Sequence, residues 1–166
     1  MGSISYLAGQ ILSFQVVSLF IALAIISFFV RGLAARALRT SNRMAFWALT
    51  SLSAIVSVTL LGRHFEGLAT RFWLFDVDLW RGVLVSQQSN FVLNLVLFVP
   101  AGIAVALASR RPLLTIVVLT LLSFAIECVQ QATGFGAPDP ADWVANSLGD
   151  ILGALVAWPV IKLRKH

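Results

Sequence analysis

The stretch NFVLNLVLFVPAGIAVALA, residues 90–108, runs for nineteen positions without a charged side chain. Coiled as an α-helix it rises ~28 Å, close to the thickness of a bilayer's hydrocarbon core, so it reads as a membrane-spanning segment. Four further stretches meet the same test: Tyr6 to Val30, Met44 to Gly62, Leu113 to Gln131 and Asp142 to Ile161. Composition agrees. The 166-residue chain is 59% hydrophobic and 11% charged, with a mean hydropathy of +0.92. Water-soluble domains keep about a quarter of their residues charged, so a soluble globular fold is excluded. The expectation is an all-α polytopic membrane protein, a bundle of five transmembrane helices.

The connections between these segments set an orientation. Arg31, Arg36, Arg39 and Arg43 separate the first two segments, Arg110 and Arg111 the third and fourth, and Lys162, Arg164 and Lys165 follow the fifth. Only Arg63, Arg71 and Arg81 lie on the opposite side. Because Lys and Arg accumulate on the cytoplasmic side, the N-terminus is expected outside and the C-terminus in the cytoplasm. The net charge of +5 does not imply nucleic acid, since the cations fall in short clusters flanking apolar runs rather than on one face. Met1 to Gln10 carries no Lys or Arg, unlike the start of a cleavable signal, and the first segment is read as a retained helix. The outer loop from Arg63 to Ser89 mixes Phe72, Trp73, Phe75 and Trp80 with charges. It is expected to lie in the headgroup zone, chiefly as an aromatic anchor and alternatively as a lid over a ligand.

Polar residues inside apolar segments are costly and are normally buried against one another or line a cavity. In the predicted orientation Asn94, Glu127, Asp142, Asn146 and Asp150 all fall in the outer half, which points to an outward-facing polar pocket. Asp139 and Pro140 form a helix start, with Asp139 as N-cap and Pro140 at the first helical position. Asp142, Asn146 and Asp150 follow at intervals of four, on one face. Ala145, Gly149, Gly153 and Ala157 form a neighbouring stripe of small residues on which a partner helix can pack closely. Pro100 removes a backbone donor, so a kink or a freed carbonyl is expected beside Asn94. Glu127 and Gln130 share a face, with Ser123 a turn below.

Other chemistry is missing. His64 and His166 fall on opposite sides of the membrane, so no metal site is expected, and there is no nucleotide-binding loop, cofactor motif or activated serine. The lone Cys128 reads as packing.

Three motifs resemble a known family. Asn94 with Phe98, Pro100 and Gly102 is similar to the Asn-x-x-x-Phe-x-Pro-x-Gly signature of the VanZ-like membrane proteins. Glu127 with Gln130 resembles their Glu-x-x-Gln. Asp139 and Asp142, followed by Asn146, Gly149 and Gly153, resemble their closing motif. On this resemblance, residues 44–166 form the four-helix VanZ-like domain, and residues 1–43 add an N-terminal transmembrane helix and a basic cytoplasmic loop. Gly136 stands where the family has an arginine, with Arg71 and Arg81 as candidate replacements, and Asp150 stands where the family favours a small apolar residue. The resemblance implies a multi-pass protein of the bacterial cell membrane, in a family whose founding member is associated with low-level teicoplanin resistance.

The site residues expected from these readings are Asn94, Pro100, Glu127, Gln130, Asp139, Asp142 and Asn146, with Gly149 and Gly153 in helix packing. The leading functional expectation is a non-enzymatic protein that binds or shields an amphiphilic envelope component, such as a lipid-linked cell-wall precursor or a lipoglycopeptide. The alternatives are an intramembrane enzyme acting through Glu127 and Asp142 on a lipid-linked substrate, and a small proton-coupled transporter or flippase subunit using Asp150.

Overall fold

The computed structural model describes residues 13–61, 72–83, 88–134 and 138–163. Five long helices and one short one account for almost all of them: α1 (Phe14–Leu38), α2 (Asn42–Leu61), α3 (Val77–Val83), α4 (Gln88–Ser109), α5 (Pro112–Thr133) and α6 (Pro140–Leu163). A single 3₁₀ turn, Trp73–Phe75, precedes α3. Helices α1, α4, α5 and α6 are long and apolar enough to cross a membrane. Their outward surfaces carry side chains such as Phe29, Leu33, Val96, Leu121 and Val156, all more than half exposed. A contiguous apolar exterior of this kind suits lipid rather than water.

Helix ends follow local chemistry. Pro112 opens α5 at its first position, and Gly134 closes it in the left-handed conformation at φ 71°. The α6 start is the one expected: Oδ1 of Asp139 accepts the Ala141 N–H at 2.8 Å, satisfying one free donor of the first turn. One boundary differs. Helix α1 does not stop at Val30 but runs through Arg31 and Arg36, and Arg39 caps it in the left-handed region at φ 51°. The continuation from Gly32 to Leu38 is rich in Ala, Leu and Arg, which favour helix. Arg31 folds its guanidinium over the Phe28 ring at 3.4 Å, so its charge does not end the helix.

Helices α4 and α6 make the most extensive pair, and α5 packs on α6 across the other side. Glycine sets that closeness. A Cβ on Gly149 would collide with the Leu95 carbonyl, and one on Gly153 with the Val99 carbonyl. From the facing side, a Cβ on Gly102 would lie 2.6 Å from the Asp150 carbonyl. The small stripe therefore seats α4 backbone against backbone. Ile55, Phe98, Leu119 and Ile126 join α2, α4 and α5 into one apolar core. Helix α1 lies outermost, held chiefly by α2, with Ser27 and Ser53 hydroxyls 3.2 Å apart between them.

The expectations placed on Gly136, Arg71, His64 and His166 fall outside the described residues.

Candidate functional site

Thr120, Ser123, Glu127 and Gln130 recur along α5 at steps of three and four, which puts them on one face. Opposite, α6 presents Asp150, Asn146 and the Asp139 cap. The two faces meet rung by rung. The Thr120 hydroxyl donates to Oδ2 of Asp150 at 3.2 Å, Nδ2 of Asn146 donates to the Ser123 hydroxyl at 2.9 Å, and the Asp139 N–H donates to Oε2 of Glu127 at 2.9 Å. Ser123, Glu127, Asn146 and Asp150 are all buried. The result is a polar seam through the bundle, walled from lipid by the helices that carry it.

Two further bonds tie the seam to the rest of the chain. Nε2 of Gln130 donates to the Thr59 carbonyl at 3.1 Å. That bond ties α5 to α2. Oε1 of Gln131 accepts the Trp73 N–H at 3.2 Å, which fixes the turn before α3 onto α5. Trp73 is wholly buried, its ring 5.4 Å from Phe124 and 5.9 Å from Trp143 between centroids, and Trp80 completes the cluster against Trp143 at 6.4 Å. Trp143 in turn donates its indole N–H to the Thr120 carbonyl at 3.3 Å. The anchor expectation thus fails at Trp73, which points inward because Phe124 and Trp143 offer it an aromatic seat. Phe75, at 79% exposed, does face outward.

The expected site residues divide accordingly. Glu127, Asp139 and Asn146 come together in the seam, with Gln130 beside them but turned toward α2. Asp142 is buried in the first turn of α6. Asn94 is buried on α4, one turn before the core residue Phe98. Pro100 is exposed, and α4 continues through it as helix. Arg81 bonds Asp78 at 3.4 Å on the exposed side of α3, so it does not stand in for the family arginine. Asp150 belongs to the seam although the family pattern argued against it. Thr120 went unread, since a lone threonine in an apolar helix is usually satisfied by its own backbone.

The seam is not saturated. Among the described residues, Oε1 of Gln130, Oδ1 of Asn146 and Oδ1 of Asp150 are buried acceptors with no donor, and the Trp73 indole N–H is a buried donor with no acceptor. Such groups are rare in folded proteins and ask for a partner. Three carbonyl-type oxygens along α5 and α6 would suit a ligand that brings hydroxyl, amide or ammonium N–H groups.

Apolar helices of bilayer length, polar groups turned inward onto each other and an aromatic cluster over one end define a polytopic helical membrane protein. The family model described as VanZ/LLP1 matches residues 14–162, and the chain belongs to that family. The match takes in α1 together with all three motifs. No curated protein and no solved structure matches the chain.

Proposed function

We propose that this chain is a five-span protein of the bacterial cell membrane, N-terminus outside, whose seam holds the polar head of an amphiphilic envelope component. The observation that carries this reading is the set of buried acceptors without donors on Gln130, Asn146 and Asp150. A lipid-linked cell-wall precursor or a lipoglycopeptide brings hydroxyl and amide donors on an apolar anchor, and so complements both the seam and the apolar exterior. The half-buried rings of Trp80 and Trp143, seated on the buried Trp73, supply faces on which sugar rings stack. Helix α2, twenty residues long and packed between α1 and α4, is the fifth span of this reading. Binding of this kind is the route by which the protein contributes to glycopeptide resistance.

The enzymatic alternative draws less support, because the Asp139 N–H holds Oε2 of Glu127 in a structural bond. The proton-carrier alternative draws on one observation, the buried Asp150 carboxyl with a single hydrogen-bonded oxygen.

A double-mutant cycle separates these readings, scored by teicoplanin susceptibility in cells and by thermal stability in detergent. Asn146→Ala and Asp150→Ala should each impair function, and the pair should be little worse than either, since both supply acceptors to one binding site. Fully additive losses would contradict the shared site. Asp150→Asn abolishing function while Glu127→Gln leaves it intact would favour the proton carrier.

A further inference from the structure

At the end of the bundle opposite the aromatic cluster, the α4–α5 turn and the last turns of α6 enclose a cavity of about 440 Å³. Its polar lining is basic: Arg110 and Arg111 from the turn, and Lys162 from α6. Among the described residues none of the three forms an ion pair. The nearest acid along α6, Asp150, lies twelve residues from Lys162, or ~18 Å along the axis. Trp158 closes one wall, its ring 5.7 Å from the Lys162 ammonium, and Leu113 and Leu114 form the other, both strongly exposed toward the lipid side.

We infer that this cavity is a binding site for one anionic phospholipid, the phosphate held by Arg110, Arg111 and Lys162 and the acyl chains laid along the exposed leucines of α5. The chemistry is that of a diester phosphate carrying apolar chains. Three cations concentrated in one concavity, without counter-carboxylates, call for an anion. The indole at the wall is a side chain suited to the headgroup level, and basic pockets between membrane helices are a known form of headgroup site. A free phosphate would satisfy the cations but leave the apolar wall uncovered. The site lies at the other end of the bundle from the seam and does not depend on it.

The test uses the purified protein in detergent, titrated with short-chain phosphatidylglycerol and followed by thermal unfolding. Wild type should be stabilised saturably, with phosphatidylcholine and inorganic phosphate giving far smaller shifts. R110Q/R111Q/K162Q should raise the half-saturating lipid concentration by at least about tenfold. The control R31Q/R36Q/R43Q removes as many charges around the α1–α2 turn and should leave it within about twofold. Leu114→Trp, which fills the cavity without touching charge, should weaken the lipid like the first triple variant, and it keeps the test open should that variant fail to fold. Equal weakening in both triple variants, an unaffected Leu114→Trp, or phosphatidylcholine matching phosphatidylglycerol would overturn the inference. Inorganic phosphate reproducing the full shift would also overturn it, leaving only an anion site.

Discussion

Ser123→Ala removes the acceptor of the Asn146 amide, and Asn146→Ala removes the donor from the same rung. In a double-mutant cycle the two should couple by about 0.6 kcal/mol, the average for interhelical hydrogen bonds within membranes. Zero coupling in detergent melts would mean that the rung does not form. Thr120→Val takes from Asp150 its only donor among the described residues and strands a buried carboxyl, so it should cost about 1–3 kcal/mol. Asp150→Leu added to Thr120→Val should recover part of that loss, because a buried polar group without a partner is worse than none. Residues of this kind differ in how readily they are read. Glu127 and Asn146 declare themselves, since a carboxylate or carboxamide in hydrocarbon demands an explanation. Thr120 does not, because its hydroxyl has a local alternative in the preceding carbonyl. Trp73 was misread because tryptophan near a helix end is common at interfaces, and nothing in the loop sequence shows that Phe124 and Trp143 wait beneath it.

Helix α6 is the element on which the architecture turns. One side carries Gly149 and Gly153 against the backbone of α4, and the adjoining side carries Asn146 and Asp150 against α5. Gly153→Ala should destabilise by about 1–3 kcal/mol, because α4 must retreat to admit a methyl group. Gly153→Leu should prevent the α4–α6 contact and abolish the melting transition. A Gly153→Leu protein that expresses and melts like wild type would mean that the stripe faces lipid. Four-residue spacing made both faces legible, and Asp139 with Pro140 made the start of α6 legible to the residue. The end of α1 was not. Arginine after an apolar run reads as a boundary, but a long side chain can carry its charge along a helix and over a ring, as Arg31 does on Phe28.

At the scale of the whole molecule, the apolar runs and the three motifs already contained the class of protein and its family. The partition of polar groups required the bundle itself, because which face meets α2, α4 or α5 depends on packing that no single helix encodes. Orientation rests on the distribution of Lys and Arg. A cysteine placed at Gly136 should label with an impermeant thiol reagent added to intact cells, and one placed at Arg39 should not. The reverse pattern would turn the seam toward the cytoplasm.

If the acceptors of Gln130, Asn146 and Asp150 hold the donor-rich head of an amphiphile, that amphiphile should travel with the purified protein. Native mass spectrometry of the purified protein, with identification of the lipids it releases, tests this most directly. Wild type should carry a sugar- or peptide-bearing lipid that is lost from Asn146→Leu, while ordinary phospholipids remain on both. Wild type and Asn146→Leu releasing the same phospholipids, with no such species on either, would contradict it.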